Sequence, residues 1–429
     1  MMNVAIIGIS GFANRHHQDL LGFADKGVIR LVAATVINQS EEVERCAGLQ
    51  AMGCELFSDY REMLSAWKGR LDLCVIPTGI HLHARMTLAA LDAGCNVLVE
   101  KPAAATVQEI DTMIVAEAKS SRFVAVGYQH LYAPEVARMK RVVLDGLIGT
   151  VEAVKCKGLW PRSDGYYQRN DWAGRVKSGE DWILDAPFNN AFAHYLNMLC
   201  FFAGNRFEES TRVETVRAEL YRAREIETAD TACMRVETAD GIPLFLWVTH
   251  SCEKRGMDDE GPELEIRGSH GSLIWTPQRI IHRSLQGEED FWPVSDIDQI
   301  RSAMLEAVLQ RISGEEVFTC GLKIARVQTL CSSAAFESSR VHSIPLACLR
   351  GHGNPKDRFT EIRGIETLCA EAFQQERLWS EMAVPWARAG REIRLFEDGD
   401  FGAGEAECQS SAGIIEPASA ALASKWGFG

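Results

Sequence analysis

No run in this sequence reaches the ~18 consecutive apolar residues that a membrane-crossing helix requires. Its opening, MMNVAIIG, lacks the basic residues and long apolar stretch of a secretory signal, so a cytoplasmic protein without a membrane partner is expected. Basic clusters are also missing. Lys and Arg number 45 against 59 Asp and Glu, and the net charge of -14 argues against nucleic acid as a partner. Cysteines number 13, but the closest two, Cys46 and Cys54, are too far apart for a CxxC zinc or redox motif. His81 and His83 form an HxH pair with no third ligand spaced to join them, so no metal is expected. What is present is globular: 46% hydrophobic and 24% charged residues over 429 positions, enough for two or three domains.

Short β-branched runs alternate with helical patterns from Asn3 to about Val126: VAIIG, IRLVAATV, LDLCVIP, NVLVE and FVAVG. This rhythm predicts a doubly wound parallel sheet over 1–130, with ligands at the carboxyl ends of its strands. Beyond Asp145-Gly146 the runs at 151–160, 212–222, 231–238, 242–250 and 263–275 follow one another through hairpin turns. They predict an α+β domain over 131–345 with a largely antiparallel sheet, interrupted by one long helix from Gly179 to Phe202 and followed by helices between Gln299 and Glu337. A C-terminal extension over 346–429 is expected to hold a helix from Thr360 to about Met382 and a mobile or partner-docked tail from about Gly402. In IPLFLWV, 242–248, successive residues are apolar and so lie on both faces of a strand, which predicts a homodimer or homotetramer built on that sheet.

VAIIGISGFA ends a strand at Gly8 and continues through Ser10, Gly11 and Phe12 to a helix at Ala13, where a dinucleotide pyrophosphate would meet backbone N–H groups. Against GxGxxG/A the central glycine is missing, and an ordinary tight turn reads equally well. At the end of the second strand, Val36 stands where an acid or an arginine would select between NAD and NADP, with Asn38, Ser40 and Glu41 beyond it, so that choice stays open. Farther on, Pro77-Thr78-Gly79, a helix led by His83, and a strand ending in Glu100-Lys101-Pro102 follow in the order found in the Gfo/Idh/MocA oxidoreductases. FVAVGYQHLYAPEVARMKRVVLDGLIGTVEAV, with Gln129, resembles that family's crossover into its second domain. The resemblance runs over roughly 3–345 and is tight in three or four segments. It implies a Rossmann-type first domain, NAD or NADP as cofactor, and Thr78, His83, Glu100, Lys101 and Gln129 around it.

The resemblance also implies that Lys101 points at the reacting hydroxyl, with a lysine that must turn inward predicting a cis Lys101–Pro102 peptide. Family members carry aspartates four residues before and three after a helical histidine. Here the positions read Asn190, His194 and Asn197, expected on one helix, with His194 as acid or base and both carboxylates replaced by amides. A core histidine bonded to backbone is the plainer alternative. GLWPRSDGYYQRNDWAGR holds Trp160, Arg162, Tyr166, Tyr167, Arg169, Asn170 and Trp172, residue types that stack on sugar rings and address hydroxyls, or else build a subunit interface. The expected activity is hydride transfer between nicotinamide and a secondary hydroxyl of a sugar, polyol or related cyclic substrate. Its rivals are a redox-neutral NAD-dependent glycosidase and a sensor that binds cofactor and sugar without turnover.

Overall fold

The computed structural model describes residues 1–253, 261–354 and 357–395; the tail expected from Gly402 lies outside the described residues. Packing gathers the described residues into two units, one drawn from Met1–Arg138 with Ser295–Thr329 and one from Met139–Val294 with 330–354 and 357–395.

The first unit is built on a parallel sheet of β1 (Met2–Ile7), β2 (Ile29–Thr35), β3 (Glu55–Phe57), β4 (Leu73–Ile76), β5 (Asn96–Val99) and β6 (Val124–Val126). The strand order is β3-β2-β1-β4-β5-β6. Every residue of β4, β5 and β6 is buried, the signature of strands covered on both faces. The covering helices include α1 (Ala13–Asp25), α2 (Val43–Ala51), α3 (Tyr60–Ala66), α4 (Ile80–Asp92) and α5 (Val107–Lys119). Strand order reverses at β1/β4, which opens a crevice at the carboxyl ends of the strands. Two features depart from the sequence reading. The three-residue edge strand β3 is too short and too exposed to leave a period. The segment 295–329, expected with the second domain, belongs to the first unit: Arg301 pairs with Asp19 of α1, and Val126 N–H donates to the Cys320 carbonyl at 2.8 Å. Helical periodicity reveals a buried stripe but not the surface that buries it.

The second unit holds a ten-stranded sheet made of β7 (Val151–Leu159), β8 (Val213–Arg222), β9 (Thr231–Thr238), β10 (Pro243–Thr249), β11 (Glu263–Gly268), β12 (Gly271–Trp275), β13 (Ile280–Ser284), β14 (Glu289–Trp292), β15 (Val341–Ser343) and β16 (Ile393–Arg394). The order is β14-β13-β12-β11-β7-β10-β9-β8-β15, with β16 also on β8; the pairs β7/β10 and β8/β15 are parallel and the rest antiparallel. One face receives α6 (Ala193–Phe202), whose ten residues are all buried. Gly158 makes this approach possible, since a Cβ there would lie 2.3 Å from the Phe192 ring.

The helix expected from Gly179 begins only at Ala193. Leu184 adopts φ +52, Pro187 opens a single 3-10 turn through Asn189, and the chain before them forms a two-residue hairpin, all incompatible with a continuous helix. The helix expected from Thr360 is likewise shorter. Phe359–Ile362 pairs with Leu349–His352 as a strand, and α7 spans Ile365–Gln375, bounded by Gly364 and Glu376 in left-handed conformations.

α7 and the turn after it cover the other face of β7, β8, β9 and β10. Phe373, Leu378 and Trp379 pack with Tyr221, Cys233, Phe245 and Trp247 in one buried cluster. Lys155 of β7 is 4% exposed and its ammonium donates to the Phe373 carbonyl at 3.1 Å while pairing with Glu265 and Glu376. Trp247 Nε1 donates to the Arg377 carbonyl at 3.0 Å, and Glu219 accepts from the Ser380 hydroxyl. The expectation that a second subunit buries this apolar face is therefore corrected: the chain covers it with its own C-terminal residues. Strand alternation shows that a face is apolar, and a cover from the same chain or another leaves the same pattern.

Candidate functional site

At the end of β1, Gly8 takes φ +94 and its N–H donates to the Thr35 carbonyl at 2.8 Å. A side chain there would touch Ala13 and Thr78, so the first turn and the Pro77–Thr78 loop lie side by side. α1 starts at Ala13 with no side-chain cap and no acid in its first turn, which leaves the positive end of its dipole for an anion. Phe12 is exposed beside it, and Gly11 has open space around its Cα. These features fit a dinucleotide pyrophosphate.

Val36 is buried, whereas Asn38 is drawn to the loop, its Oδ1 accepting from the Ser10 hydroxyl at 3.3 Å. Asn38 Nδ2 donates to Glu41 at 3.0 Å, and Glu42 pairs with Arg45. The Ser10 hydroxyl above all, against desolvation, and then Arg45 hold the Glu42 carboxyl below its ordinary range. The turn after β2 thus carries two acids, Glu41 and Glu42, beyond the end of the strand.

His83, on the first turn of α4, is 1% exposed, with Nδ1 2.7 Å from the Pro102 carbonyl and Nε2 3.0 Å from that of Thr78. Burial lowers its pKa against these acceptors, and the neutral ring, with one N–H, donates to one of the two carbonyls while packing between the Thr78 loop and the bend after Lys101. Glu100 acts as a tie. Its Oε1 lies 2.8 Å from Nε2 of buried His16 on α1, and its Oε2 accepts the Lys101 N–H at 2.9 Å. Burial alone would raise its pKa, but the His16 bond and the charges of His16 and Lys101 outweigh it and hold the carboxyl low. Gly127 is required here, because a Cβ would approach Glu100 Oε1 to 2.8 Å. The Lys101–Pro102 peptide is cis, as the inward turn predicts, and Lys101 is half-buried at the carboxyl end of β5. Gln129 is buried in the turn that follows β6. His16 escaped the sequence reading because nothing in ANRHHQ distinguishes it from a helix surface residue.

In the second unit, His194 and Asn197 lie on α6 and are 8% and 0% exposed. Asn190 precedes the helix, so the three side chains do not share one helical face as expected. Its Nδ2 donates to Oδ1 of Asp185 at 2.7 Å, and Asp185 Oδ2 accepts the Gly174 N–H at 2.7 Å. A buried carboxylate is therefore present next to Asn190, nine positions before His194, where the expected offsets of four and three did not look. Trp160 stacks on Phe192 with centroids 4.8 Å apart, and Phe192 stacks on His250 at 5.4 Å. Tyr166 meets Tyr167 edge-on at 5.2 Å. Arg162 and Arg169 lie over the Tyr166 ring at 4.8 and 3.7 Å, and Arg169 is 5.1 Å from the Trp172 ring. Asn170 accepts from the Trp172 and Ala173 N–H groups and shapes the loop. The sequence-predicted wall thus assembles beside the start of α6. His250, at the end of β10, was not foreseen; burial, then Arg162, Arg224 and Arg169, push its pKa down to about 3 against the bond with the Trp160 carbonyl.

Two family models match the chain, one described as an oxidoreductase family NAD-binding Rossmann fold over residues 2–128 and one as a GFO/IDH/MocA C-terminal domain over 136–274. An inositol 2-dehydrogenase of Azotobacter vinelandii is 24% identical over 253 residues, 59% of this chain and 68% of that protein. Among solved structures, the WlbA dehydrogenase from Bordetella pertussis in complex with NADH and UDP-GlcNAcA superposes with a TM-score of 0.63 at 20% identity, covering 78% of this chain and 97% of the other. A levoglucosan dehydrogenase in complex with NADH and levoglucosan gives 0.61 at 18% identity, covering 78% and 96%. With its nucleotide-binding first unit and its mostly antiparallel second sheet both matched, the chain belongs to the Gfo/Idh/MocA oxidoreductase family.

Proposed function

We propose that this protein is an NAD(P)-dependent dehydrogenase that moves a hydride between nicotinamide and a secondary hydroxyl of a sugar or polyol. The observation that carries the reading is the buried His16–Glu100 bond. It ties the helix after the Gly8 turn to the residue before Lys101, so the pyrophosphate end of α1 and the lysine are fixed at one end of one sheet. The related inositol and levoglucosan dehydrogenases support the substrate class.

The Gly8–Ala13 turn, Asn38 and the Thr78 loop would hold the dinucleotide. When bound, the nicotinamide supplies the hydride acceptor or donor. Lys101 would place positive charge at the hydroxyl oxygen as it becomes alkoxide-like, and His194 is the acid or base that the second unit would contribute. Asn190, held by Asp185, offers the amide oxygen as an acceptor that orients the substrate. A cytoplasmic location belongs to the same reading. Any self-association would use a surface other than the sheet face under α7.

The test is a screen of sugars, polyols and glycosides, following nicotinamide absorbance and sugar release together. In Lys101→Ala, turnover is expected to fall about 100-fold or more with NADH affinity within about twofold of wild type. Release of sugar without net reduction would identify a glycosidase. A ligand that binds with neither signal would identify a sensor.

A further inference from the structure

We infer that the wall formed by Trp160, Tyr166 and their neighbouring arginines binds an anionic sugar, one carrying a carboxylate or a phosphate, through Arg162 and Arg169. This deepens the dehydrogenase reading above and rests on it for turnover, though not for binding.

Three guanidinium groups converge on this loop, and their partners differ. Arg224 is 6% exposed at its side chain and fully engaged: it pairs with Asp164 at 3.2 Å and Asp230 at 3.3 Å and donates to the Ser251 hydroxyl at 2.7 Å. Its charge is neutralised and its role is to hold the loop. Arg162 and Arg169 have no carboxylate within ion-pair distance among the described residues, although Asp171 and Asp185 belong to the same loop region. Asp185 is occupied by Gly174 and Asn190. Both guanidiniums without a carboxylate lie over one ring, that of Tyr166; Arg169 Nη1 also donates to the Tyr166 carbonyl at 2.5 Å, and Arg162 also sits 5.9 Å from the Trp160 ring. Stacking on aromatic faces fixes the planar fork before a ligand arrives, which lowers the ordering cost of a two-point contact with a carboxylate or phosphate.

Buried polar atoms give a second, independent indication. Arg162 Nε and the Tyr167 hydroxyl are both shielded from solvent and have no hydrogen-bond partner among the described residues. Leaving such groups unpaired is costly, and a ligand oxygen would satisfy them. His250, between Phe192 and Tyr166, stays neutral near pH 7, so the positive charge of the wall comes from guanidinium alone.

The experiment uses the full chain saturated with NADH and measures binding of D-glucuronate, D-glucose 6-phosphate and D-glucose by calorimetry, with KM and kcat for any that is oxidised with NAD. At least one anionic probe is expected to bind about 10-fold or more tightly than D-glucose, and the stronger of the two identifies carboxylate or phosphate. Arg162→Gln and Arg169→Gln should each weaken that probe about 10-fold more than they weaken D-glucose, in Kd or KM; the exposed Arg175→Gln, outside the wall, serves as the unchanged control. Should either variant fold poorly, loss of the anion preference of wild-type protein in raised salt gives the same reading. D-glucose binding as tightly as both anions, or variants that leave anion affinity unchanged, would overturn the inference. Oxidation of neutral sugars alone would overturn it and leave the dehydrogenase reading intact. Anion binding without any oxidation would do the reverse, and no binding of any probe counts against both.

Discussion

Phe373→Ala is the sharpest test of whether the C-terminal residues are part of the second unit's core. The ring is fully buried, 6.0 Å from Trp247, with the ammonium groups of Lys155 and Lys157 at 4.6 and 4.9 Å from its centroid. Removing such a side chain costs about 3–5 kcal/mol in a well-packed core. Loss of the two cation–ring contacts adds roughly 0.5–2 kcal/mol, because Lys155 is desolvated and cannot turn to water. With a urea m-value of about 3 kcal/mol/M, the unfolding midpoint of the second unit should fall by on the order of 1 M. The assay is urea unfolding followed by tryptophan fluorescence and near-ultraviolet circular dichroism. Light scattering in parallel should show the variant gaining mass with concentration relative to wild type, as Phe245 and Trp247 become accessible. A midpoint shift below about 0.3 M would refute the reasoning, since no ring that truly fills this core can be removed so cheaply.

Two further outcomes follow from other regions. Lys140 is fully buried, donates to the Phe201 and Gly204 carbonyls at the end of α6, and burial pushes its pKa down to about 7. From about pH 7 to the unfolded value of about 10.5 the unfolded chain then holds the extra proton, so stability should rise with pH by up to about 1.4 kcal/mol per unit. Below about 7 this contribution should vanish, and Lys140→Met should flatten the slope in urea titrations across that range; an equal slope in the variant would rule the lysine out. At the turn after β2, Glu41 and Glu42 outnumber Arg45, so a 2'-phosphate is disfavoured and NADH should bind about 10-fold or more tightly than NADPH. The double variant Glu41→Gln, Glu42→Gln should narrow that ratio in fluorescence titrations, and equal wild-type affinities would contradict the assignment.

The parallel sheet of the first unit was legible in the sequence, apart from its edge strand β3 and the segment 295–329 that packs with it. Continuous apolar runs such as LCVI and NVLV can be stable only as strands covered on both faces, and a Gly8 turn and a Lys101–Pro102 bend at strand ends are local features that need no knowledge of distant residues. The aromatic wall was legible for the same reason, being one stretch of chain. What lies against what came from packing between distant segments. Asn190 looked like a lost carboxylate, yet it is hydrogen-bonded to the carboxylate of Asp185 because Leu184 and Pro187 bend the chain where a helix was expected. His16 became a partner of Glu100 across 84 positions, and IPLFLWV found its second cover in α7 rather than in another subunit. Periodicity along a chain records that a side chain is buried. The identity of the group that buries it is set by long-range packing, which a single sequence encodes only through the whole fold.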